Sequence, residues 1–226
     1  MHDNNTTKIK IKICGLTSPD EAAYLNKNHV DFAGMVLFFP KSKRNISIEQ
    51  AKEIIRSLDS SIKSVAVVVA PTNEQVCQIA DAGFDYVQIH GAIPDSTNPY
   101  TTTPDSTGEA DSTAKTSWDI PILKAFNVSD MDSYESYHND PRIVGYVFDA
   151  QEPGSGKTFD WNLVDNIPRD EKLLLLAGGL NPSNVRTAIQ KVHPNGVDVS
   201  SGVENDDGYG KDPDKIDKFV SAVLHN

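Results

Sequence analysis

The sequence predicts an α/β chain folded as a (β/α)8 TIM barrel, and three observations carry that prediction. Eight strand-like runs alternate with helix-like runs at intervals of roughly 20 to 35 residues. Asp, Ser or Gly closes most of the strand-to-helix junctions. A chain of 226 residues suits one closed barrel, whereas an open doubly wound sheet usually has fewer strands.

The first strand is Lys8-Ile9-Lys10-Ile11-Lys12-Ile13-Cys14, a strict alternation of charged and apolar residues closed by a thiol and Gly15. Period two gives it two faces, so Ile9, Ile11 and Ile13 share one and Lys10, Lys12 and Cys14 the other. A helix follows from Pro19 to Asn28, with Ser18 and Glu21 placed as a capping box. The second strand, Phe32 to Phe38, leads into the basic cluster Lys41-Ser42-Lys43-Arg44 and a helix from Ser47 to Leu58. Val65 to Ala70 is an unbroken apolar run, as expected of a strand buried on both faces. Thr72 and Gln75 cap a helix from Asn73 to Ala82, whose Cys77 lies among apolar neighbours and is expected to be core.

Strand four, Tyr86 to Ile89, ends in His90-Gly91, and alternation puts Gln88 and His90 on one face. From Ala92 to Ser117 the chain is Ser, Thr, Pro and Asp with almost no large apolar residue. That composition predicts an irregular, solvated insertion in place of the helix after strand four. Strand five runs from Ile122 to Ala125, with a helix near Ser129 to Tyr137 behind it, and strand six from Ile143 to Phe148 ends on Asp149. Strand seven, Leu173 to Ala177, ends in Gly178-Gly179, and Asn181-Pro182-Ser183 opens a helix to about Val192. Strand eight, Gly196 to Ser200, ends in Ser201-Gly202-Val203, and a last helix spans Pro213 to Leu224. No composition shift marks a linker, so residues 1–226 read as a single barrel domain with a polar leader at 1–7.

Net charge is −11 and the isoelectric point near 4.9, which argues against nucleic acid, because phosphate backbones need a clustered basic face. No apolar run reaches membrane-span length, and the leader lacks the hydrophobic core of a secretory signal, so no membrane partner and a cytoplasmic place are expected. With only Cys14 and Cys77, a reducing compartment implies no disulfide.

Two junctions, Ala177-Gly178-Gly179 and Ser200-Ser201-Gly202-Val203, have what a phosphate requires. Glycines admit backbone N–H groups to the oxygens, and a short helix starting at Val203 would aim its amino end at the charge. Barrels commonly bind phosphate after strands seven and eight. Gly156-Lys157-Thr158 ends like a nucleotide-binding P-loop, but the glycine that motif needs is replaced by Gln151. His90, His138 and His193 lack metal-ligand spacing, so no metal is expected.

By residue type alone Cys14 would be a small buried hydrophobe. Its place at a strand end, facing Asp149 across a barrel mouth, suits proton transfer in both directions. Lys12 lies on the same face about 7 Å down the strand, where a cation would favour the thiolate. We expect Lys12 to be buried and paired with an acid such as Asp198 on strand eight.

These motifs resemble one family, phosphoribosylanthranilate isomerase. The resemblance rests on Lys12-Ile13-Cys14-Gly15-Leu16-Thr17, on Ser42 and Arg44, and on Val87-Gln88-Ile89-His90-Gly91. It continues through Asp149 with Gly154-Ser155-Gly156-Lys157-Thr158-Phe159-Asp160-Trp161, Leu176-Ala177-Gly178-Gly179-Leu180 and Asp198-Val199-Ser200-Ser201-Gly202-Val203-Glu204. It implies a cofactor-free Amadori rearrangement of a small phosphorylated substrate in tryptophan biosynthesis, by a protein expected to be a monomer. By carry-over, Asp149 is the general acid, Cys14 the base, and Arg44 the holder of the anthranilate carboxylate. Gly156, Gly178, Gly179, Ser200, Ser201 and Gly202 would surround the phosphate, while His90 and Asp198 line the pocket. The related indoleglycerol-phosphate synthase barrel would place lysine and glutamate where Cys14 and Asp149 stand, and a barrel used only for binding would not need the acid and base pair.

Overall fold

The computed structural model describes residues 8–95, 119–127, 131–149 and 170–225. The leader 1–7, residues 96–117 of the Ser/Thr/Pro-rich stretch, and the loop with Gly156 and Phe159-Asp160-Trp161 lie outside the described residues. Strand β1, Lys10–Cys14, pairs with β2, Phe32–Leu37, on one side and with β8, Gly196–Val199, on the other. The first and last strands are therefore neighbours and the sheet closes on itself. Between them run β3 (Lys63–Val69), β4 (Tyr86–His90), β5 (Ile122–Asn127), β6 (Ile143–Asp149) and β7 (Leu173–Leu176), each parallel to its neighbours. A two-residue strand, Asn45–Ile46, adds to the carboxyl end of β2.

Helices α1 (Ala22–Asn28), α2 (Ile48–Ser57), α3 (Asn73–Asp81), α4 (Met131–Tyr137), α5 (Val185–Val192) and α6 (Pro213–Leu224) connect the strands. The capping boxes form as the sequence requires: Ser47 accepts from the Gln50 amide, and Thr72 from the Gln75 amide. The Ser18–Glu21 box opens a 3-10 turn, Pro19–Glu21, rather than the α-helix itself.

Strand alternation sorts the apolar residues into two layers. Ile11, Ile13, Val87, Ile89, Val197 and Val199 face outward, where they join Leu25, Ile54, Ile79, Ile216 and Phe219 of the helices in one core. Facing inward, Phe32, Val65, Val67, Leu123, Val147 and Leu175 fill the barrel. Each fully buried side chain of this kind contributes about 1.5–3 kcal/mol, and closure of the sheet leaves the parallel strands without a free edge among the barrel members.

Three local expectations need correction. Val69 is 44% exposed, because the inward face of β3 runs out into the barrel mouth where that residue sits. Helix α5 starts at Val185 rather than near Asn181, because the Asn181 side chain closes a turn by accepting from the Ser183 amide, while Asn184 accepts from the Asn181 amide. The helical turn after β8 begins earlier than Val203 and is short: it is a 3-10 turn, Ser201–Val203.

Candidate active site

At the carboxyl ends of the strands lies a cavity of about 390 Å³. The alternation of β1 turns Cys14 and Lys12 inward, and register places Lys12 beside Asp198 of β8. Lys12 is fully buried, with its Nζ 2.9 Å from Asp198 Oδ2. The expected pair is therefore present. Burial alone would lower the Lys12 pKa, but the charges of Asp198 and Cys14 and hydrogen bonds to both more than offset it, so the ammonium is held above its usual range.

The effect on Cys14 differs from the expectation. Burial pushes its thiol up, and although Lys12 and Lys211 pull it down, burial with the Asp198 charge prevails. Desolvation of the thiolate therefore opposes the two cations, and Lys12, which also hydrogen-bonds the sulfur, supplies the larger part of what favours the charged form.

Cys14 and Asp149 both line this one cavity, from β1 and β6. So do Arg44, His90 and Asp198, and the four junction residues Gly178, Gly179, Ser200 and Ser201. Gly202 does not: a Cβ there would collide with the Leu180 carbonyl oxygen and meet Asn181, so that side of the residue faces the neighbouring loop. Gly156 is outside the described residues. Cys77 is partly buried against the outer core, away from this site. Val36, Phe39, Val67 and Leu180 supply apolar wall, which makes the cavity suitable for a ligand with a flat apolar part and charged ends.

His90 stands 3.0 Å from Gln88, ring Nε2 to amide Nε2. Burial, then the charges of Lys12 and Lys124, lower its pKa to about 4. The imidazole is thus neutral, with one ring nitrogen hydrogen-bonded to the Gln88 amide. Among the described residues, Gln88 Oε1 and Asp198 Oδ1 are buried without a hydrogen-bond partner.

Arg44 reaches the cavity over Gly15, where an added Cβ would be 2.5 Å from the arginine Cδ. Its Nε donates to Glu204 Oε1. Glu204 also receives Lys43 at 3.0 Å and Lys211 at 3.3 Å, and Lys211 Nζ donates to the Ser200 carbonyl at 3.2 Å. Around the mouth the cations Lys12, Arg44 and Lys211 stand against the carboxylates of Asp198 and Glu204, in a molecule of net charge −11. Lys211 and the partners of Glu204 were not legible from sequence. Lys211 sits in a polar Gly-rich turn that looks like ordinary solvated loop, and no periodicity points inward there.

The fold and the cavity define a (β/α)8 barrel enzyme site: a polar mouth at the strand ends, lined by a thiol, a carboxyl and the glycine- and serine-rich junctions after β7 and β8. The family model for N-(5'-phosphoribosyl)anthranilate isomerase matches residues 11–222. An isomerase of that name from Listeria welshimeri is 37% identical over 217 residues, covering 94% of this chain and 97% of its own. The solved phosphoribosyl anthranilate isomerase from Thermotoga maritima superposes with a TM-score of 0.74 at 34% identity, covering 96% of this chain and 100% of that one. A structure of such an isomerase in complex with reduced 1-(o-carboxyphenylamino)-1-deoxyribulose 5-phosphate gives 0.73 at 33% identity, with the same coverage. The chain belongs to the N-(5'-phosphoribosyl)anthranilate isomerase family.

Proposed function

We propose that this chain converts N-(5'-phosphoribosyl)anthranilate to 1-(2-carboxyphenylamino)-1-deoxyribulose 5-phosphate, a step of tryptophan biosynthesis, with its own side chains as the acid and base. The observation that carries the reading is the opening of Cys14 and Asp149 onto one cavity. In this reading Asp149 gives its proton to the furanose ring oxygen. The C1–O bond breaks, and the nitrogen lone pair forms the iminium. Cys14, as thiolate, takes the C2 proton, and the electrons of that C–H bond form the C1=C2 bond and neutralise the iminium. The resulting enolamine becomes the ketone by moving the C2 hydroxyl proton to C1.

Burial raises the Cys14 pKa, so the cations Lys12 and Lys211, which both pull it down, are what favours the thiolate this step needs. Arg44 would hold the anthranilate carboxylate with its planar fork. The backbone at Gly178, Gly179, Ser200 and Ser201, with Gly202 and Gly156, would hold the phosphate. His90 and Asp198 would line the sugar. We also take the chain to be a single barrel domain, monomeric and cytoplasmic. Its exposed large apolar residues, Val69, Val144, Tyr209 and Leu224, come from separate parts of the described chain, and sedimentation tests the monomer.

The direct test follows turnover by the change in substrate fluorescence. Cys14→Ser and Asp149→Asn should each lower kcat by about 10²- to 10⁴-fold, the usual worth of a positioned acid or base. Wild-type rates in both variants would refute the mechanism.

A further inference from the structure

Resting on that reading of the site, we infer that Glu204 is a positioning residue that aims Arg44 at the substrate carboxylate and ties it to the phosphate-binding junction. Glu204 does not line the cavity and touches no place a substrate would occupy. It is nonetheless 5% exposed and stands at the centre of a cationic cluster. One oxygen, Oε1, accepts from Arg44 Nε and from Lys211 Nζ; the other, Oε2, accepts from Lys43 Nζ. The Glu204 backbone is held as well, by an antiparallel bridge to Lys211 and by Lys215 Nζ on its carbonyl at 2.7 Å.

The geometry of arginine gives this contact its meaning. A guanidinium bonded through Nε is fixed in rotation about its last side-chain bond, and its two terminal nitrogens remain to grip a planar carboxylate in a fork. Among the described residues those terminal nitrogens have no hydrogen-bond partner, and Arg44 lines the cavity with a side chain 14% exposed. The stem is confined from the other side by Gly15, where an added Cβ would lie 2.5 Å from the arginine Cδ and 3.1 Å from Ser200 Oγ. Lys211 extends the device. The same ammonium that bonds Glu204 donates to the Ser200 carbonyl and approaches its hydroxyl at 3.5 Å. The two ends of the ligand, carboxylate and phosphate, would thus be spaced by one buried carboxylate. Its own charge keeps three clustered cations from repelling one another out of position.

The experiment compares the natural substrate with N-(5'-phosphoribosyl)aniline, which lacks only the carboxylate, and uses the ratio of the two kcat/KM values as readout. Wild type should prefer the carboxylate-bearing substrate, and Arg44→Ala should abolish most of that preference. Glu204→Gln should lower the preference about tenfold, chiefly through KM, while kcat stays within about threefold of wild type. Glu204→Asp, which keeps the charge but shortens the reach, should lower it too, and serves if the glutamine variant does not fold. An equal fall for both substrates, or an unchanged ratio in both variants, overturns the inference while leaving the isomerase reading intact. A wild-type chain that turns over neither substrate overturns that reading and the inference with it.

Discussion

His90 illustrates how far an environment moves a residue from its ordinary chemistry. Burial, with Lys12 and Lys124 nearby, depresses its pKa from 6.5 to about 4. In a proton-detected titration its ring resonances should stay at their neutral positions down to pH 5 and shift only around about 4; a midpoint near 6.5 would contradict the structure. Because the folded pKa lies below the unfolded one, the unfolded chain binds more protons between these values. The stability His90 contributes is present above pH 6.5 and is lost as pH falls through about 4. From sequence, a histidine at a strand end pointed equally to a structural or a catalytic role, since the chain alone carries no information on how much water surrounds it. Cys14 has the same lesson in the other direction. Its place and partner were legible from alternation, but the balance between burial and two cations depends on Lys211, which arrives from a distant turn.

Elements were the most legible level, because their signals are local. The capping boxes of α2 and α3 were readable as Ser47 with Gln50 and Thr72 with Gln75, and both form. Ser47→Ala should cost about 1 kcal/mol in a thermal melt, with no effect on substrate affinity, because the hydroxyl serves only the Gln50 amide. A melting temperature equal to wild type would mean that the helix is held by packing alone. The start of α5 was misplaced for an equally physical reason. Asn-Pro-Ser is a good helix opening, but the same Asn181 side chain also closes a local turn, and competition between these hydrogen bonds delays the helix. The two-residue strand Asn45–Ile46 is too short to have a pattern, and it exists because Val36 and Leu37 offer an edge beside it.

Across the whole molecule, Lys12 and Asp198 join residues 186 apart in sequence and stand where the first strand meets the last. Lys12→Met would leave the Asp198 carboxylate buried with no cation in contact. The expected loss is about 3–5 kcal/mol in urea unfolding, and the double change Lys12→Met with Asp198→Leu should recover much of it, because an apolar pair of similar size replaces the ions. A single variant as stable as wild type would mean that the pair contributes nothing to closure. The sign with pH follows from the raised Lys12 pKa. Its contribution is full below the ordinary value of 10.5 and disappears as pH rises through the higher folded value.

Strand and helix periods, cap residues and the order of the eight strands were written in the sequence, because each depends on residues a few positions apart. Alternation also determined which face of every strand carries chemistry, and so brought Cys14, Asp149, His90 and Asp198 to the same barrel end before any coordinates. Only the tertiary structure decided what surrounds them: the desolvated sulfur between two lysines, the neutral imidazole, the packing of Gly202 against the Leu180 loop and the gathering of Lys43, Arg44 and Lys211 on Glu204. Those outcomes depend on burial and on charges brought together across the closed sheet, and neither is encoded by any short stretch of chain.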